Sequence, residues 1–210
     1  MTKSDNFFSE QEKSKIKESI SQVESRTIGE VAVMVVNSSS QYVEAEVIGG
    51  IIAGSFISLI LTEVFFHSSI WVYIPLSFLF LFLSWPLFKK IPLMKTPFIG
   101  LKRKELAVRE RAIRAFYEKG LYKTKKATGV LFFISLLEHK VWILADKGIY
   151  EKIEQETFNR FAKTISRGVR DNRACDSLCE VMKGVGDLLA GHFPITPDDI
   201  NELPDEVMTD

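Results

Sequence analysis

Two spacings of apolar residues alternate along this chain, with one long interruption. In "FFSEQEKSKIKESISQVESRT", Ser9 and Glu12 have capping-box spacing, and Ile16, Ile20 and Val23 recur at helical intervals on a charged background. "GEVAVMVV" (29–36) follows, β-branched and apolar on both alternating faces, the pattern of a strand covered on both sides. Farther on, "LKRKELAVRERAIRAFYEKG" sets Leu106, Ile113 and Phe116 on one side of a helix that Gly120 stops. "TGVLFFISLLEHKVWILADKGI" predicts two buried strands, Val130–Leu137 and Val141–Ala145, joined by a tight turn at Glu138-His139. Two more helical patterns follow, one carrying Ile153, Phe161 and Ile165, the other Leu178, Met182, Val185 and Leu189. Helices alternating with doubly apolar strands predict an α/β fold, a three-layer α/β/α sandwich in which helices cover both faces of a small sheet.

The interruption is Val47–Phe88, "VIGGIIAGSFISLILTEVFFHSSIWVYIPLSFLFLFLSWPLF", whose single charge is Glu63. Each half, 47–66 and 70–88, rises about 30 Å as a helix, the thickness of a hydrocarbon core. Only "HSS" separates the halves, with His67 as the polar break, so the spans are antiparallel neighbours. Gly49, Gly50, Ala53 and Gly54 permit close approach; Trp71, Tyr73 and Trp85 mark interfaces; Pro75 is expected in the first turn of the second helix. An antiparallel hairpin returns the chain to the face it left. Residues 1–46 and 89–197 are therefore expected to form one domain around a transmembrane hairpin, with 38–46 and 89–101 as stalks and 198–210 as an acidic tail.

Charge sharpens this picture. Lys+Arg and Asp+Glu are equal at 27 each, which with the lack of aromatic stacking platforms excludes nucleic acid as a partner. The hairpin tip has no Lys or Arg, whereas Lys3, Lys13, Lys15, Lys17 and Arg26 precede the hairpin and Lys89, Lys90, Lys95, Lys102, Arg103 and Lys104 follow it. The positive-inside rule then predicts an inner-membrane protein with a cytoplasmic domain and only the tip outside. Residues 102–126 hold ten cations against three Glu, so Lys102, Arg103 and Lys104 are candidates for contact with anionic lipid, unless they serve only as a topology signal. Cys175 and Cys179 share a helix face and read as small core residues. The start of the chain lacks the apolar region of a secretory signal and is expected to be retained.

Three stretches, "RTIGEVAVMVV", "TGVLFFISLLEHKVWILADKGIYEKI" and "HFPITPDDINELPDEV", resemble the TPM-domain family, named after thylakoid-lumen, photosystem-repair and receptor-associated proteins, and its bacterial membrane-spanning branch in particular. The resemblance covers the whole soluble portion and implies an α/β/α sandwich. It also implies a family in which some members are acid phosphatases or bind calcium and others are accessory or assembly factors. Many relatives carry a run of acidic residues between the two middle strands; here that turn is Leu137-Glu138-His139-Lys140, with one carboxylate.

Candidate chemistry is sparse. Asp146 ends a buried strand, where α/β sheets place ligands, although Asp there also caps turns. Glu30 opens the first strand and is its candidate partner in acid–base work or in binding Ca2+ or Mg2+, with Glu138 as a third metal ligand; a polar strand end and a solvated turn are the plainer roles. "GVGDLLAG" lacks the Lys-Ser/Thr of a phosphate loop, and His192 has no evident partner. The expected function is an interaction, assembly or accessory module at the membrane face, with membrane lipid and another membrane-associated protein as partners. The alternative is a weak phosphatase using Asp146 and Glu30 with a divalent cation, and a lipid-surface role through 102–126 comes third.

Overall fold

The computed structural model describes residues 3–65, 69–196 and 201–209. His67 and the tail acids Asp198, Asp199 and Asp210 lie outside the described residues. The chain forms two compact units, one of residues 1–39 with 105–210, the other of 40–104.

The first unit is a sheet between helices. Strand β1 (Glu30–Val36) pairs in parallel with β2 (Gly129–Ser135), and β2 pairs antiparallel with β3 (Lys140–Ala145). A fourth strand, β4 (Met208–Thr209), lies parallel to β1, giving the order β3-β2-β1-β4. On one face, α1 (Glu10–Glu24), α7 (Gln155–Arg170) and α8 (Ala174–His192) close over Val31, Val33, Val35, Phe132 and Ile143. On the other face, α5 (Leu101–Glu118) covers Ala32, Met34, Leu131 and Phe133. The three-layer sandwich is thus present, and β1 and β2 are buried along their whole length.

Several details depart from the periodicity. Helix α5 does not turn Leu106 inward; that side chain is 50% exposed, and the buried face is Ala107, Val108, Ala112, Ala115 and Phe116. Small residues let the helix lie close to a sheet face already carrying Met34 and Phe133. Helix α7 buries Phe158, Ala162 and Ile165, while Phe161 is half-buried and Ile153 precedes the helix. Strand β3 is an edge strand and buries only alternate residues. The tail forms β4 rather than a free acidic end, because Leu203 and Met208 are apolar enough to pack against the α5-side core.

The second unit holds α2 (Val43–Phe65) and α3 (Ile70–Lys90), followed by the short α4 (Pro92–Lys95). Helices α2 and α3 are long and apolar enough to cross a membrane. They run antiparallel: a side chain at Gly49 would strike Phe88, and one at Gly54 would lie 2.8 Å from the backbone nitrogen of Leu81. Their seam is small and polar, with Gly49, Gly50, Gly54, Ser58 and Thr62 buried on α2, and the Ser84 hydroxyl donating to the Gly50 carbonyl at 3.1 Å. Large apolar residues point outward instead, Phe56 62% and Phe82 64% exposed. Pro75 lies beyond the first turn expected for it, since α3 begins at Ile70, and Pro86 is also inside the helix.

The two points where the 40–104 segment leaves and rejoins the sandwich lie at one end of the sheet. The Ser39 hydroxyl bonds that of Ser135 at 2.8 Å, Ser135 pairs with Lys140, and Lys140 Nζ is 3.6 Å from Glu105. Replacing 40–104 with about ten Gly/Ser residues, which reach roughly 17 Å, should give a soluble domain with a mixed α/β circular dichroism spectrum; a coil spectrum would show that the sandwich needs the hairpin. Within the hairpin, Gly54→Leu should cost about 1–3 kcal/mol by overpacking, read as an earlier unfolding midpoint in a detergent titration.

Candidate functional site

One end of the sheet carries two of the three candidate carboxylates, Glu30 and Asp146. Glu30 is paired in register with Gly129, and the Asp146 amide donates to the Gly129 carbonyl at 2.8 Å, so Glu30 and Asp146 stand in one row with a strand between them. Two strand spacings set their Cα atoms about 10 Å apart. Glu30 is buried and its Oε1 accepts the Glu202 amide at 3.1 Å, which ties the returning tail to the start of β1. A cavity of about 350 Å³ opens here, lined by Glu30, Lys125, Lys126, Thr128, Thr196 and Glu202 among others.

Asp146 does not line that cavity. It is the N-cap of α6 (Lys147–Tyr150): Oδ1 accepts the Lys147 amide at 2.7 Å, and its carbonyl accepts the amides of Ile149 and Tyr150. Oδ2 is buried without a hydrogen-bond partner. The capping role raised by its position before "KGI" is the one its geometry fits.

Glu138 is at the other end of the sheet, about 20 Å away by strand rise. It is buried, accepts the Ser39 amide at 2.9 Å and is held by the Ser135 hydroxyl. Its work is to fasten the loop after β1 to the β2–β3 turn, not to face solvent. His139 takes the left-handed conformation, φ 52°, that closes this turn. Glu30, Asp146 and Glu138 therefore do not form the expected set of metal ligands, and among the described residues no group of three or more Asp, Glu, His or Cys is placed to hold a cation. A hard cation needs about six oxygens; these residues do not fit Ca2+ or Mg2+.

Periodicity gave no sign of Glu24. This last residue of α1 accepts the Val31 amide at 3.0 Å, and Asn201 reaches it at 3.5 Å while donating to Asp205 at 2.7 Å. Burial pushes the Glu24 carboxyl up to about 8; the Glu30 and Asp205 carboxylates and a hydrogen bond with Asp205 push the same way, and only the Val31 amide opposes them. Glu24 thus holds a proton near neutrality, the property of a general acid or base. The signal was missed because Asp205 reaches Glu24 only through the tail's return, 181 positions later in sequence.

The remaining expected residues are structural or exposed. Arg103 pairs with Glu44 at 2.9 Å and lies over the Tyr42 ring at 5.4 Å, its side chain 40% exposed; Lys102 is exposed. Cys175 is buried and its thiol is pushed up to about 12 by desolvation, then by Cys179, as an unreactive core residue would be.

No family model and no curated protein matches the chain. Among solved structures it is similar to the NMR structure of the BA42 protein from the psychrophilic bacterium Bizionia argentinensis, with a TM-score of 0.61 and 19% identity over 97% of this chain and 96% of that one. Likeness at this identity is a likeness of fold.

Between the ordinary carboxylate range and about pH 8, the folded protein keeps a proton on Glu24 that the unfolded chain has released. Stability from this group is full at low pH and is lost as pH rises through that window. The urea midpoint of the wild type should fall between about pH 5.5 and about pH 8.5. Glu24→Gln retains an acceptor for the Val31 amide but has no proton to lose, so its midpoint should fall less. An equal fall would place the proton on another group.

Proposed function

We propose that the protein is a membrane-anchored domain of the TPM type that serves as an interaction or assembly module at the inner membrane, with another membrane-associated protein as its partner. The observation that carries this reading is the inverted packing of the hairpin: glycines and hydroxyls are hidden in the seam of α2 and α3, and Ile52, Phe56, Leu59, Phe78 and Phe82 face outward. Such a surface is costly in water and suited to lipid, where small residues drive helix association. The cations after α3 and the uncharged tip favour a cytoplasmic sandwich with the tip outside. Support for a module over an enzyme comes from the carboxylates: Asp146 is spent on a helix cap, Glu138 on a loop, and Glu30 on the tail.

A phosphatase is the second reading, favoured by the proton on Glu24 beside Glu30 and a cavity containing Lys125 and Lys126. The full chain in nanodiscs should hydrolyse p-nitrophenyl phosphate at the background rate with or without Ca2+ or Mg2+. Activity that needs the cation and vanishes in Asp146→Asn or Glu24→Gln would replace the module with the enzyme. In a background with Cys175 and Cys179 changed to Ser, a thiol reagent that cannot cross membranes should label Ser69→Cys from outside but not Asp5→Cys or Glu206→Cys. The reverse pattern would invert the topology.

A further inference from the structure

The base of the hairpin is built more elaborately than an anchor needs. Tyr42 precedes α2 in the left-handed region, φ 54°, although it is bulky and buried, so its surroundings must hold it there. Arg103 lies over its ring at 5.4 Å and pairs with Glu44 at 2.9 Å. Beside it, Lys95 Nζ donates to Glu46 Oε1 at 2.7 Å and to the Gln41 carbonyl at 2.6 Å. Both side chains of this ion pair are more than nine-tenths buried, at 8% and 7% exposure. A desolvated pair is a poor way to gain stability, since an apolar pair of like volume usually serves as well. Its place at the rim of a cavity of about 610 Å³ suggests why polar groups are kept there; the other lining residues are Gln41, Val43, Trp85, Pro86 and Lys89.

The donors and acceptors facing this cavity can be counted. An ammonium has three N–H groups; Lys95 uses two, leaving one. Glu46 gives Oε1 to Lys95, leaving Oε2 as an acceptor. Lys89, in the last turn of α3, is exposed and has no ion pair among the described residues. Trp85 lies one turn before it, with the amphipathic ring typical of the headgroup level. The cavity thus offers cationic donors and one anionic acceptor, with a net charge of +1 from Lys89, Lys95 and Glu46.

We propose that this cavity binds the headgroup of phosphatidylethanolamine, its phosphate on Lys89 and the remaining N–H of Lys95, its primary ammonium on Glu46. The proposal rests on the reading of α2 and α3 as membrane spans. Phosphatidylcholine offers the same phosphate, but its quaternary ammonium has no N–H to donate. Phosphatidylglycerol offers no cation to Glu46.

The test uses the full chain in a mild detergent, titrated with short-chain phosphatidylethanolamine, its mono- and dimethyl derivatives, phosphatidylcholine and phosphatidylglycerol, with bound lipid read by native mass spectrometry. Phosphatidylethanolamine should bind about tenfold tighter than phosphatidylcholine, the difference made by one charge-assisted hydrogen bond, with the methylated series in order between them. Lys89→Gln, an exposed change that leaves the fold intact by circular dichroism, should weaken all phosphate-bearing lipids. Glu46→Gln should erase the preference for the amine, and the methylated series tests the same point without relying on that variant to fold. Equal binding of the ethanolamine and choline lipids, or tighter binding of phosphatidylglycerol, would overturn the assignment. Competition by soluble phosphoethanolamine at the lipid's own affinity would overturn its membrane source in favour of a free amino-phosphate. Alkaline carbonate extraction separates the two levels: release of the chain from membranes would sink the anchor itself, whereas retention without lipid preference sinks only this site.

Discussion

The parallel pairing of β1 with β2 is the constraint on which the rest of the chain depends. Parallel neighbours cannot be joined by a tight turn; the chain has to travel back along the sheet before the second strand starts. Here 92 residues separate Val36 from Gly129, and only α5 is needed as the crossover helix that covers the sheet. Everything from Ser40 to Gly100 is surplus to that connection, and residues 40–104 form their own compact unit. Because a crossover already leaves the sheet and comes back, a hairpin whose two ends lie together can be inserted without disturbing a single ladder hydrogen bond. Glu138 holds the departing loop in place through Ser38 and Ser39, so the end of β1 is fastened before the insertion begins.

The two units solve opposite packing problems. In the sandwich, Val, Ile and Phe from seven-residue strands are sealed by helices, and α5 presents alanines because the sheet supplies the bulk. In the hairpin, the seam is made of glycines, serine and threonine and the bulk faces out. A helix pair packed in this way has little to gain from hydrophobic burial between its members; dispersion at close approach, as at Gly54, has to hold it. The polar anchor at its base, Lys95 with Glu46 and Gln41, then fixes where α2 begins relative to the residues after α3.

What was legible in the sequence follows the same division. Continuous apolar strands, the Ser9–Glu12 capping box, and the composition of 47–88 each depend on neighbours within a few residues, and each is present. Leu106 misled because helical period alone does not say which of two apolar stripes meets the sheet; the alanines did, and alanine carries little weight in a hydrophobic pattern. The site was less legible still. Asp146 and Glu30 stand at one sheet end; the cap that Asp146 places on the next residue, Lys147, is readable locally, whereas the tie of Glu30 to Glu202 needs the returning tail. The closing segment reads as an acidic tail since six acidic residues outweigh Leu203 and Met208 in any average, although these two side chains pack against the α5-side core.

That seating changes the electrostatics of the sheet end. An isolated Glu at the end of α1 would be an ordinary ionised surface residue; with the tail in place it faces Asp205 and Glu30 and loses water. The ion pairs that the segment forms, Lys17 with Glu206 at 3.7 Å and Lys125 with Glu202 at 3.9 Å, have exposed lysines and are weak. Burial first, and then repulsion from Glu30 and Asp205, keeps a proton on Glu24. The protonated acid is therefore first a structural device, one that lets an acidic segment lie against an acidic strand end. Chemistry at this site would have to draw on the same carboxyl that sits between the returning tail and the start of β1.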